Sequence, residues 1–128
     1  MPDHTEDYEK FEALFRVKTQ KVKELMESEK YKDAYLIHID EDLSITPDNW
    51  AGGVISVTKQ SGKSRKRSLN FIIMNYFQIV NIQRQKIGSS IWPSRDPKLI
   101  FEGGLEEFQD LDVVELIKKN LEDYIPIG

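Results

Sequence analysis

The fold is decided by LNFIIMNYFQIVNIQR, residues 69–84, which holds the longest apolar run of the chain. On a helical wheel the apolar residues fall on one half and most of the amides on the other, which is typical of an amphipathic helix capped by Ser68. Eight of these residues, however, are β-branched or aromatic, and such residue types favour strands. We predict two strands broken near Asn75, and one buried helix is the alternative.

A β-hairpin is predicted immediately upstream of this stretch. Residues 54–59 alternate as a strand does, and Gln60-Ser61-Gly62-Lys63-Ser64 has the composition of a hairpin turn. Alternation of apolar and polar residues, together with turn-like composition between the alternating runs, predicts the other strands of the chain. The predicted strands lie near residues 34–40, 53–59, 65–74, 77–84 and 98–102.

Helices are predicted at both ends of the chain. Over residues 5–30 apolar side chains recur with the helical period, and neither Gly nor Pro interrupts them. The helix predicted over residues 112–124 has Asp112 as its cap, Glu115 three positions later, and Pro126 beyond its end. The predicted fold class is α+β, in which a small antiparallel or mixed sheet is packed by these two helices. We expect a single globular domain over residues 1–128.

The charges are segregated along the chain. Residues 49–95 contain eight Lys or Arg and no Asp or Glu, so their net charge is +8. Residues 1–48 hold 13 acids and 7 bases, and residues 96–128 hold 9 acids and 3 bases, which gives each flank a net charge of −6. The formal total of −4 therefore hides a basic centre between two acidic arms. Such a distribution bears on the choice of partner rather than on the fold.

The basic centre suggests a binding function. Five positive charges lie between Lys59 and Arg67, where a hairpin would project them beyond the core towards phosphates. The candidate binding residues are Lys59, Lys63, Arg65, Lys66, Arg67, Tyr76, Arg84 and Lys86. They predict a non-enzymatic binding module for an anionic partner, with nucleic acid as the first candidate. The alternative is a protein-interaction domain, such as an inhibitor, an immunity-type protein or an assembly protein, that binds an acidic protein partner.

Two motifs that would indicate other functions are incomplete. Gly62-Lys63-Ser64 resembles the end of a phosphate-binding P-loop, but Val57 stands where the first glycine is required. The loop that begins at Asp40 resembles a calcium loop, but Ile45 and Ala51 replace the glycine and the glutamate that calcium geometry needs. We therefore predict no catalytic residues, no metal site and no cofactor.

The composition narrows the cellular setting. With no cysteine the chain has neither a disulfide framework nor a zinc–thiolate site. The apolar run over residues 71–82 is broken by amides and is too short to span a membrane. The first ten residues are acidic and lack the apolar core of a secretory signal. We expect a cytoplasmic protein without membrane contact, and the sequence leaves its oligomeric state open.

Overall fold

The computed structural model describes residues 5–42, 50–60, 67–76, 78–88 and 97–127. Its elements, in chain order, are a long helix, five strands and two shorter helices. They are α1 (Thr5–Glu27), β1 (Tyr35–Asp42), β2 (Trp50–Lys59), β3 (Ser68–Tyr76), β4 (Ile79–Ile87), β5 (Lys98–Gly104), α2 (Leu105–Asp110) and α3 (Val113–Tyr124). The predicted α+β fold is confirmed.

The five strands form one antiparallel sheet in the order of the sequence. The ambiguous stretch is two strands, β3 and β4, and the helical alternative is wrong. Leu69, Phe71 and Ile73 are buried at every second position, which is the period of a strand. The break between the strands lies at the turn that includes Gln78, and Asn75 is a buried residue inside β3.

All three helices pack on one face of the sheet, which we call the helix face. Buried residues of β2, β3 and β4 share one core cluster with residues from each helix. The aromatic contacts show how the helices are joined, since the Phe11 ring centroid lies 5.8 Å from that of Phe15 and 5.7 Å from that of Phe108. On the opposite face, which we call the open face, the described side chains are exposed or half-buried. An antiparallel sheet tolerates one such face in water.

Gly53 allows a close approach of α1 to the sheet. A Cβ atom added there would lie 2.5 Å from Cζ of Phe15 and 2.8 Å from the backbone oxygen of Asp40. Real Cβ contacts are longer, so the missing side chain allows Phe15 to pack directly on the backbone of β2.

The helices differ from the sequence prediction in two respects. The first helix ends at Glu27 rather than at residue 30, and residues 28–34 form turns that lead into β1. A second helix, α2, precedes the predicted C-terminal one. It spans only six residues, so it is too short to show a helical period in the sequence. Among the described residues no helix is long and apolar enough to cross a membrane.

Candidate functional site

Basic residues from three strands, and one that immediately precedes β3, meet at one end of the sheet. Because the strands are antiparallel, the ends of β2 and β4 lie beside the starts of β3 and β5. The register pairs Leu69 with Lys86 and Phe71 with Arg84, and Arg84 in turn pairs with Lys98. The described bases at this end, all at helix-face positions by register, are Lys59, Arg67, Arg84, Lys86 and Lys98. We call this set the basic end.

The opposite end of the sheet is acidic. Asp40 and Glu41 lie near the end of β1, Glu102 lies near the end of β5, and Glu106 and Glu107 begin α2. The described charged residues of the strands thus divide between two ends of one sheet. A field of this kind orients a charged partner before contact.

Arg84 is the best-positioned cation of the basic end. Its Nη1 donates a hydrogen bond of 2.9 Å to Oδ1 of Asn120, and its guanidinium carbon lies 4.2 Å from the ring centroid of Tyr124. The amide of Asn120 is fixed in turn, because its Nδ2 donates to the carbonyl oxygen of Leu116 at 2.7 Å. Within the described part of the chain Arg84 forms no ion pair with a carboxylate, and its buried Nε has no hydrogen-bond partner. Its charge is therefore held in place without being neutralised.

Tyr124 joins two of the bases. Lys86 Nζ lies 5.0 Å from the same ring centroid, so one ring has both a guanidinium and an ammonium at cation–π distance. Asn120 and Tyr124 were not predicted as site residues. One signal for Asn120 was present, because it is an amide three residues after Ile117 and one before Leu121 on the buried side of α3.

Lys59 has a structural partner. Its side chain is 2% exposed, and its Nζ donates a hydrogen bond to the carbonyl oxygen of Pro126. The ammonium also lies 5.3 Å from the ring centroid of Tyr35, and burial lowers the pKa of Lys59. The sequence placed Lys59 among the charges of a projecting turn, whereas the structure directs it into the core beneath the C-terminal residues.

Tyr35 holds the same segment, and its hydroxyl makes a testable contact. The hydroxyl donates to the carbonyl oxygen of Ile125, and burial raises the pKa of Tyr35 to about 12. An unfolded tyrosine loses its proton near pH 10. The stability that Tyr35 contributes is therefore complete below pH 10 and is lost as the pH rises towards 12.

We expect Tyr35→Phe to lower the free energy of unfolding at neutral pH by about 1 kcal/mol. The variant should also lose less stability than the wild type between pH 10 and pH 12, which urea unfolding at several pH values measures. Tyr31→Phe is the matched control, because the buried Tyr31 hydroxyl has no hydrogen-bond partner among the described residues. Parallel alkaline profiles for the wild type and Tyr35→Phe would contradict the assignment.

The remaining predicted site residues are placed as follows. Tyr76 lies on the open face at the far end of β3, about 30 Å along the strand from Arg67, so the structure does not bring it to the basic end. Lys63, Arg65 and Lys66 lie outside the described residues, although both flanks of their segment, Lys59 and Arg67, belong to the basic end. Their roles stay predictions.

The bases of α1 are partly engaged within the fold. Arg16 lies 3.0 Å from a carboxylate oxygen of Glu12 and 3.8 Å from one of Glu41. Lys18 Nζ donates to the carbonyl oxygens of Gln109 and Leu111, at the C-terminal end of α2, where carbonyl groups lack helical partners. Burial lowers the pKa of Lys18. Lys21 and Lys23 are exposed.

No group of three or more His, Asp or Glu residues in the described ranges could hold a metal ion. The loop that begins at Asp40, considered above for calcium, lies largely outside those ranges. Comparisons of the chain with protein-family models, with curated proteins and with solved structures gave no significant match. The residues of the site are therefore the evidence for the function.

Proposed function

We propose that this chain is a non-enzymatic binding module whose basic end contacts an anionic partner, with nucleic acid as the first candidate. The observation that carries the proposal is the setting of Arg84. Asn120 and Tyr124 hold its guanidinium in place, and no carboxylate ion pair in the described residues neutralises it. Such a group offers further N–H donors to an incoming oxyanion.

The arrangement of the other bases suits a linear polyanion. Neighbouring strands lie about 4.8 Å apart, so cations on β3, β4 and β5 are spaced across roughly 10 Å. Arg67, Lys86 and Lys98 occupy these three strands or their immediate starts. A nucleic-acid strand presents a charge about every 3.4 Å of helix axis, and neutralising several such phosphates releases counterions. A row of cations therefore favours a backbone of repeating charges.

Preorganisation supports the same function. A free arginine side chain loses about 2 kcal/mol of rotamer entropy when it is fixed, whereas the stacked and hydrogen-bonded Arg84 has already lost much of this freedom. The acidic end also orients the partner, because its negative charges repel a polyanion and leave the basic end as the favoured contact. An acidic protein partner would use the same bases, so the experiment must separate these two classes of partner.

The test is a binding measurement by fluorescence anisotropy at about 50 mM salt. The probes are labelled single-stranded DNA, single-stranded RNA, duplex DNA and poly-L-glutamate, matched in charge. We expect Arg84→Gln/Lys86→Gln to weaken nucleic-acid binding by on the order of 10- to 100-fold, because two phosphate contacts are removed. Lys10→Gln/Lys23→Gln removes the same charge from exposed positions of α1 and should leave the affinity nearly unchanged.

Thermal unfolding of each variant separates a lost contact from a lost fold. Comparable transitions with weaker binding in the first pair alone support the proposal. Preferred binding of poly-L-glutamate would identify an acidic protein as the partner class instead. The absence of binding to every polyanion would overturn the proposal.

A further inference from the structure

Exposed apolar side chains are concentrated on the open face. Six large hydrophobic residues are exposed in the described parts of the chain, and four of them, Leu36, Tyr76, Ile79 and Leu99, lie at open-face positions. The register places three of these together with other apolar residues in the half of the face that adjoins the acidic end. Its apolar residues are Val54, Ile72, Met74, Tyr76, Ile79 and Leu99, with Asn81 and Gln83 of β4 among them, and we call this half the apolar patch.

The apolar patch has a groove and a defined border. Met74, Tyr76, Ile79, Asn81 and Glu102 line an open groove of about 380 Å³. Towards the basic end the face becomes polar, and its side chains bond one another. Ser56 donates to Asn70 at 2.8 Å, and the hydroxyls of Thr58 and Ser68 lie 2.8 Å apart. These groups satisfy each other, so apart from Leu36 on the edge strand β1 the exposed large apolar side chains of the open face lie in the patch.

The charges around the apolar patch have a single sign. Asp40 on β1 and Glu102 on β5 flank it at the two edges of the sheet, and both residues are exposed. No described open-face position carries Lys or Arg. The face therefore disfavours a nucleic acid and complements an apolar segment with positive charges at its ends.

The size of the apolar patch indicates the kind of partner. Its three rows of side chains on four strands cover roughly 20 Å by 20 Å, about 400 Å². A stable interface between two folded domains buries about 800 Å² on each side, so the patch is small for a second copy of this chain. A second copy would also bring its own Asp40 and Glu102 to the interface. One amphipathic helix fits better, because it can lay its apolar stripe in a groove of this area.

We propose that the apolar patch docks a basic amphipathic helix of a partner protein. The edge strands β1 and β5 are four strand spacings apart, about 19 Å, which a helix covers in about 13 residues. The expected segment therefore has an apolar stripe of three to four turns between two Lys or Arg residues, which lie near Asp40 and Glu102. This surface is separate from the basic end, and the two take partners of opposite charge.

The test uses designed 18-residue peptides and fluorescence anisotropy. The first peptide has a Leu stripe with Lys at both ends, the second has Glu in place of each Lys, and the third contains the residues of the first in scrambled order. We expect only the first to bind. Its affinity should fall about 10-fold or more in Tyr76→Ser/Leu99→Ser, which removes apolar contacts, and also in Asp40→Asn/Glu102→Gln, which removes the charges.

Two controls make the result specific to the apolar patch. Val17→Ser changes an exposed apolar residue of α1 and should leave peptide affinity unchanged, as should Arg84→Gln/Lys86→Gln. Equal binding of the first and scrambled peptides, or unchanged affinity in both patch variants, overturns the proposal. A concentration-dependent dimer in analytical ultracentrifugation that disappears in Tyr76→Ser/Leu99→Ser also overturns it, because the occupant is then a second copy.

Discussion

Replacement of Phe11 by alanine is expected to lower the free energy of unfolding by about 3–5 kcal/mol. The Phe11 side chain is fully buried, and its ring contacts Phe15 of α1 and Phe108 of α2. Removing it leaves a cavity at the point where two helices and the sheet meet. The backbone cannot close this cavity easily, because Phe15 already packs against the backbone of β2 at Gly53. Urea unfolding followed by circular dichroism measures the change.

Val17→Ala provides the matched control on the same helix. Val17 is 56% exposed, so its truncation should change the free energy of unfolding by no more than about 0.5 kcal/mol. A loss below about 1 kcal/mol in Phe11→Ala would contradict the packing of α1 described above, because a full cavity cannot cost so little.

The stretch over residues 69–84 shows what the sequence could determine about the sheet. Buried Leu69, Phe71 and Ile73 alternate with Ile72 and Met74, which are apolar residues of the open face. With apolar residues on both faces the run loses its period-two signal, and the helical wheel then offers an equally good pattern. The β-propensity of these residues and the predicted turn upstream favoured two strands over one helix, because both reflect the local preference of the backbone.

The start of β2 and the short helix α2 could not be predicted from the sequence, for different reasons. The sequence placed the start of the second strand near residue 53, yet β2 begins at Trp50, and Gly52 and Gly53 both lie inside it. A side chain at these positions would collide with residues from elsewhere in the chain. A Cβ atom at Gly52, for example, would lie 2.3 Å from the backbone oxygen of Ile73. The short helix α2 gave no periodic signal of its own.

The sequence shows the charge distribution of the candidate site but not its contacts. The described bases of the acid-free segment lie at one end of the sheet, because antiparallel strands that are neighbours in sequence share an end. The sequence could not indicate that Lys59 is directed to Pro126, or that Arg84 is held by Asn120 and stacks on Tyr124. These pairs join residues far apart in the chain, and no local pattern specifies them.

The second large effect is expected at the basic end. The triple variant Arg65→Ala/Lys66→Ala/Arg67→Ala removes Arg67 of the basic end and two neighbouring positive charges of the predicted turn. If each contacts a phosphate, the affinity for duplex DNA at 0.1 M salt should fall by on the order of 100- to 1,000-fold. If the predicted turn projects these side chains into solvent, the cost in fold stability should be small, because an exposed charge contributes about 0–1 kcal/mol. The backbone hydrogen bond from Lys59 N–H to the Arg67 carbonyl oxygen does not depend on the side chain.

The most direct test of the proposed function is the salt dependence of nucleic-acid binding. A plot of log affinity against log salt concentration for the wild type should be linear, and the triple variant should reduce its slope by roughly 2 to 3. A control triple variant, Arg16→Ala/Lys21→Ala/Lys23→Ala on α1, removes the same charge and should leave the slope unchanged. A wild-type protein that binds no nucleic acid at low salt would contradict the account, and so would a slope that falls only in the α1 variant.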